Sequence, residues 1–470
     1  MQPARRFIRS ACASLIVVVA CVSAATAQAQ NDDSHGREIS LRHAVELIIA
    51  RNPLTRAKQL DVERAQLDVQ MYESFWTLPQ FTFNSLTGVV PAARGDIFRS
   101  PDTSNDLDDL GPFFRFEIGI IIPIYTFGRT GNAASAARSI VQVEQSKGRK
   151  VRNDLAREVI KAYWGLVASE RALDVGERMR DSYRELLDKI QEKLDADEID
   201  PNDAFEAQAG AYDVERSYLD TIELSRLVQR GLAELLGYDP DVPLVPTDTE
   251  APQISLQPSD LDRLIRIAER VNPDLRTLQA AVGALEAAMD LELSNRWPVV
   301  VVGGGFSLAK ASGRDDQRNP FAYDEFNFRR LAAAFNLRWD LNFPRHRIDY
   351  LRRKFERDST VAKGEALRIK LGLQVHQALE RVLKNVELVV SARQTRRVTR
   401  RWLRTAFDDW DLGIGEAQPM LKAYAADYRL QAQVIETQYQ LDVSLAELAL
   451  VMGDLHSYLQ WVADGQVVLE

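Results

Sequence analysis

The sequence predicts an α+β membrane protein in which a few amphipathic β-strands are joined to very long α-helices. Three observations predict it. Short segments alternate apolar and polar residues, proline-free stretches keep a 3.6-residue period far beyond the length of a compact domain, and the same elements recur in the same order twice.

The N-terminus, "MQPARRFIRS", carries Arg5, Arg6 and Arg9 and is followed by the apolar run "ACASLIVVVA" and then "ATAQAQ". A basic start, a short apolar middle and an A-x-A end form a secretory signal peptide. The apolar run is too short to span a bilayer. Residues 1–29 are expected to be removed, so that the exported chain, 30–470, begins near Gln28 or Gln30. Both cysteines, Cys12 and Cys21, fall in the leader, which leaves no thiolate or disulfide chemistry in the exported chain. "VVAC", ending at Cys21, also resembles a lipobox, but the A-x-A sites downstream are better formed.

At 470 residues the chain exceeds one ordinary core, and its organisation is a repeat. "ELIIARNPLTRAKQLDVERAQLDV" is echoed by "RIAERVNPDLRTLQAAVGALEAAM", with Asn52-Pro53 matching Asn272-Pro273. "PIYTFGRTG" pairs with "WDLNFPRHR", and "LAELLGYD" pairs with "LALVMGDL", both at an offset of 216 residues. Two repeats, 38–238 and 258–454, are expected, joined by a Pro/Asp-rich linker at 239–257. Each holds a helix, two strands separated by a polar loop, a very long helix, a turn and a returning helix.

In "FFRFEIGIIIPI", Phe114, Phe116, Ile118, Ile120 and Ile122 share one face, and Arg115, Glu117 and Gly119 the other. "RLAAAFNLRWDL" alternates in the same way. "QFTFNSLTGVV" (80–90) and "VVVVGGGFSLA" (299–309) are less regular partners, and the loops 91–112 and 310–328 are long and polar. In the helices, Leu155, Val159, Ala162, Tyr163 and Leu166 form one stripe, as do Leu379, Val382, Leu383, Val386 and Val390. No proline occurs from Arg129 to about Asp195, which at 1.5 Å per residue is a helix of about 100 Å. That length implies a coiled coil or a helical tube.

Alternating strands serve a half-buried soluble sheet or a transmembrane barrel. The signal peptide, strands of about 10–12 residues and aromatics at strand ends (Phe113, Phe114, Tyr125, Phe127, Trp297, Trp339, Phe343) favour the barrel. Four strands cannot close one, and an open edge cannot sit in lipid. The barrel must be shared among several chains in a symmetric oligomer.

"LRHAVELIIARNP", "PIYTFGRTGNAASAA", "AYWGLVAS" and "FDDWDLGIGEAQPMLKAYAADY" resemble the TolC family of outer-membrane channel proteins, and the resemblance runs through nearly all of the exported chain. It implies a homotrimer in the outer membrane of a Gram-negative-type bacterium, with a large periplasmic part. Each chain would give four strands to a 12-stranded β-barrel continuous with a periplasmic α-helical tunnel. The duct would export solutes for an inner-membrane transporter, through a periplasmic adaptor protein, as part of an efflux pump or type I secretion system.

Both helical turns are then expected at the periplasmic mouth. The first, "LDADEIDPND", carries Asp195, Asp197, Asp200 and Asp203, with Glu206 beyond; the second is "WDLGIGEAQPM". In the family, inward-pointing acids on the second returning helix narrow the entrance. Here those positions read Pro419 and Lys422, opposite Asp203 and Glu206 at the 216-residue offset, so the acids stand on the first hairpin instead. Trp410 aligns with an aromatic near the family's constriction, although a large apolar residue there also reads as packing. Gly413 and Gly415 resemble a fragment of a nucleotide loop, but no strand precedes them and a helix C-terminus explains them. Before this turn, Arg393, Arg397, Arg400 and Arg404 fall on one helical face, flanked by Arg396 and Arg401. The face reads either as solvated or as a gate pairing with acids of a neighbouring hairpin through weak exposed ion pairs.

The net charge of −9 argues against a nucleic-acid partner. The five histidines show no metal-binding spacing, and neither G-x-S-x-G nor a P-loop occurs. No enzyme activity and no cofactor are expected. A periplasmic adaptor is the competing class, but it would have one hairpin rather than two.

Overall fold

The structure, a computed structural model, describes residues 36–74, 78–94, 106–248, 250, 252–316 and 323–467. The leader, both cysteines, Trp76 and the middles of the two polar loops lie outside the described residues.

The chain forms two compact units. One contains 57–148 and 273–368; the other contains 149–272 with the described parts of 1–56 and 369–470. Each unit therefore draws segments from both the N-terminal and the C-terminal half of the chain.

The first unit is built on a four-stranded antiparallel sheet. Its strands are β2 (Gln80–Ala92), β3 (Asp106–Tyr125), β5 (Val299–Ala311) and β6 (Phe328–Arg338), paired in the order β2-β3-β5-β6. The register sorts side chains by chemistry, because residues two apart point the same way. Phe81 lies opposite Ile120, Phe83 opposite Ile118, Ile118 opposite Phe306, and Phe306 opposite Leu331. Phe81, Phe83, Leu331 and Phe335 on this face are all more than 65% exposed. The other face carries Asn84, Glu117, Ser307 and Arg330 in one cross-strand row, and Arg115 Nε donates to Glu117 Oε1 at 3.0 Å. The outer edges of β2 and β6 have no strand partner among the described residues.

Aromatic side chains gather at both ends of the sheet. Tyr125 meets Phe127 edge-on at 4.6 Å, and Phe127 stacks on Trp297 at 5.8 Å. At the opposite end Phe113 packs on Phe326 at 5.2 Å. Beside it a buried ion pair, Arg314 Nε to Asp324 at 2.8 Å, ties the β5–β6 connection to the carbonyl of Pro91. β3, at 20 residues, exceeds the expected 10–12. At its start Leu110 and Asp106 register with Pro91 and Ala92 across a bulge, a backbone pairing that needs no apolar alternation.

The second unit is helical. Its short helices α1 (Leu41–Arg51) and α5 (Leu261–Val271) end at Asn52 and Asn272; α2 (Pro53–Glu73) and α6 (Pro273–Ser294) start at the prolines that follow, and α6, like α2 from residue 57 on, belongs to the first unit. Proline is tolerated there because the first helical N–H needs no partner. The long helices are α3 (Arg129–Asp195) and α7 (Phe343–Asp411), with 67 and 69 residues; the returning helices, α4 (Pro201–Leu236) and α8 (Ala417–Met452), have 36 each. The helix ends 195 and 411, 236 and 452, and the left-handed caps Gly237 and Gly453 all differ by 216. A parallel pair of β1 (Arg37–Ile39) and β4 (Leu244–Pro246) and the C-terminal α9 (Leu455–Asp464) complete the unit.

Its main core joins α1, α3, α4, α5, α7, α8 and α9 around the fully buried Tyr163, Trp164, Leu232 and Leu448. Each such side chain contributes about 1.5–3 kcal/mol. The polar atoms are answered: Tyr163 Oη donates to the Ile39 carbonyl at 3.1 Å, and Trp164 Nε1 to Tyr458 Oη at 2.8 Å. Among the described residues no helix is long and apolar enough to cross a membrane.

Candidate functional site at the hairpin tips

The two turns have the same backbone geometry. In the first, Asp197 N–H donates to the Leu194 carbonyl and Glu198 N–H to that of Lys193, at 3.0 and 2.8 Å. In the second, Gly413 N–H donates to Trp410 and Ile414 N–H to Asp409, at 3.0 and 2.9 Å. Asp197 (φ 57°) and Gly413 (φ 72°) hold the same left-handed position. Gly413 therefore closes a helix. At Gly415 a Cβ would come within 3.3–3.4 Å of Asp409 and Trp410, so that glycine allows the chain to pass close to the helix it leaves.

A small core binds the hairpins together: Tyr183, Leu186 and Ile190 from α3, Ala204 and Ala207 from α4, Trp410 from α7, and Ala417 and Met420 from α8. Trp410 is 2% exposed, which assigns it to packing. Phe407 lies 5.9 Å away, and Lys193 Nζ sits 5.2 Å above its ring. The same ammonium donates to the Asp411 carbonyl at 3.2 Å and pairs with Glu198 at 3.4 Å. Lys193 thus stitches one turn to the other. No local pattern marks it, because the Asp411 carbonyl and the Trp410 ring lie on the other turn.

The acids divide by role. Asp200 caps α4, accepting from Asn202 N–H at 2.8 Å, as short acceptors at helix starts do. Asp195 accepts from Gln191 at 2.8 Å, and both it and Asp197 are exposed. Asp203 is half-buried beside the start of α8, where the Ala417 N–H favours its ionised form. Burial, with Asp200, Glu206 and Glu416 nearby, nevertheless holds its carboxyl above the usual range. Glu206 and Lys422, 216 positions apart in the chain, line one groove of about 740 Å³ with Tyr183, Tyr428 and Arg429. Pro419 is exposed.

The arginine face lies over α3. Arg397, Arg400 and Arg404 border a second groove, of about 760 Å³, with Lys189 and Glu185 across it. Arg393 lies further along and donates to Gln438 at 2.8 Å. Among the described residues none of the four forms an ion pair within the chain, with the tip acids or otherwise. Two buried carboxylates that the sequence did not single out stand between α7 and α8. Asp427 accepts from Thr399 and Gln431, and Asp442 from Gln438.

No known family profile matches the sequence. The chain is 24% identical over 336 residues to Protein CyaE of Bordetella pertussis, a match that covers 69% of this chain and 66% of that one, just under two thirds. Solved structures agree over far more. The CmeC outer membrane channel of Campylobacter jejuni superposes with a TM-score of 0.69 at 13% identity, over 90% of this chain and 89% of that one. The MtrE outer membrane channel of Neisseria gonorrhoeae, in its open state, gives 0.67 at 15% identity, over 88% of each. The outer-membrane channel OprN gives 0.68 at 17%, over 88% and 90%. This is the TolC fold. Sequence identity this low carries the architecture alone, so within the TolC fold the particular residues of the tips must be argued from their own geometry.

Proposed function

We propose that the chain is one protomer of an outer-membrane exit duct, a passive and non-enzymatic conduit in a tripartite efflux pump or a type I secretion system. The sheet carries this reading. One face is apolar and exposed, the other polar, and among the described residues both outer edges lack a strand partner. An unpaired edge is not tolerated in lipid, and three copies joined edge to edge, β6 to β2, would close twelve strands with lipid outside and water within. The helical hairpins would then form the periplasmic tunnel, whose tips meet a periplasmic adaptor below which an inner-membrane transporter works. The arginine face adds a gate: free of ion pairs among the described residues, it is available to carboxylates of a neighbouring protomer.

Fractionation, light scattering and planar-bilayer recording test the duct. The expected result is a detergent-stable trimer from outer membranes with channel activity; a monomer in the soluble periplasmic fraction would sink the proposal. For the gate, neutralising Arg400 and Arg404 should raise conductance, and unchanged conductance removes it.

A further inference from the structure

We propose that the groove between α3 and α7 binds a small organic anion that combines an apolar or aromatic body with two or more phosphate, sulfonate or carboxylate groups. Its walls carry Arg397, Arg400, Arg401 and Arg404 from α7 and Lys189 from α3. Only Glu185 and Asp408 oppose them, so five cationic side chains face two anionic ones. Arginines three and four apart repel along a helix, so this row weakens α7 unless something neutralises it. Within the chain Arg401 Nε donates to the uncharged Arg397 carbonyl, and Arg397, Arg400 and Arg404 make no ion pair among the described residues.

The floor between these charges is apolar. Leu186, Leu403, Phe407 and Tyr424 form it, and Lys189 Nζ lies 4.9 Å above the Phe407 ring. A cavity of about 760 Å³ is of the size that takes a drug-sized ligand, and an apolar floor with a few convergent charges is the usual build of such a site. Guanidinium forks match phosphate, sulfonate and carboxylate oxygens two at a time, and a concave site concentrates the field of its charges. The ligand would engage the same arginines as the inter-protomer gate, so the two contacts exclude each other and an anion in the groove would favour the open mouth. Binding itself does not rest on the duct reading.

The probe is naphthalene-1,3,6-trisulfonate, titrated calorimetrically into the full-length protein in lipid nanodiscs at low salt. One site per chain is expected, with affinity falling as salt rises. Arg400→Gln/Arg404→Gln should weaken it at least tenfold. Arg400→Lys/Arg404→Lys, which keeps the charge and removes the fork, should fall between. Arg393→Gln, outside the groove on the same helix, should change it less than twofold. No saturable binding overturns the proposal, as does equal weakening by Arg393→Gln, which would mean diffuse attraction. A protein that binds the probe in this pattern but forms no channel overturns the duct and leaves the groove standing.

Discussion

Asp442 should make the helical unit lose stability as pH rises toward neutrality, and Asp442→Asn should abolish that loss. The side chain is 6% exposed on α8 and accepts one hydrogen bond, from Gln438 Nε2 at 3.0 Å. Burial dominates its environment. Gln438, then Arg171 on α3 and Arg393 on α7, pull the other way without cancelling it, and the carboxyl is pushed up from 3.8 to about 7. Between about pH 4 and 7 the folded chain holds a proton that the unfolded chain releases, so folding stability falls with rising pH across that window and is level on either side. At about 1.4 kcal/mol per unit, the drop is about 4 kcal/mol. Asparagine keeps an acceptor for Gln438 and cannot ionise. The two proteins should agree within about 1 kcal/mol near pH 4, and the variant should be more stable by about 4 kcal/mol near pH 8. Denaturant unfolding in one detergent across this range measures the gap. A gap that does not change with pH would refute the argument.

Four further outcomes follow from particular contacts. Trp410→Ala should destabilise the tip by about 3–5 kcal/mol, as loss of a core aromatic does. Because Trp410 Nε1 is buried without a hydrogen-bond partner, Trp410→Phe should cost far less; denaturation reads both. Asp197→Gly should be neutral or stabilising by up to about 1 kcal/mol, and Gly413→Ala destabilising by about 1–2, since both positions are left-handed. Arg314→Ala should cost about 3–5 kcal/mol by leaving Asp324 buried and unpaired, with partial recovery in Arg314→Ala/Asp324→Ala, read by protease resistance of the β5–β6 connection. Asn385→Ala should cost about 1–3 kcal/mol, because its amide bridges the Gln440 carbonyl and Ser444 between α7 and α8.

Local signals carried most of the fold. Asn-Pro pairs at 52–53 and 272–273 mark helix boundaries because proline lacks the N–H that the preceding turn would use. Strand alternation and helical stripes are equally local. The first turn of β3 escaped notice because Asp106–Leu110 is held by backbone pairing and has no apolar face to show. The tips were legible in outline only. Gly413 was readable as a helix end, but Asp197 in the same left-handed conformation was not, since nothing short of superposing the two turns reveals it. Lys193, Glu185 and Asp442 matter through partners on other helices: Asp411 to Lys193, the arginine face to Glu185, Arg171 and Arg393 to Asp442. Spacing along one helix does not encode such meetings.

The outer edges of β2 and β6, unpaired among the described residues, have a genetic consequence. If three chains must close one ring, a subunit with a spoiled edge harms its companions as well as itself. Edge-disrupting alleles, such as proline placed in the middle of β6, should then be dominant. With equal expression of both alleles and random mixing, only about one ring in eight would be free of the defective chain. Alleles that damage a hairpin tip, but leave the edges able to pair, would still enter the ring, and their dominance would measure how many intact tips a working duct needs.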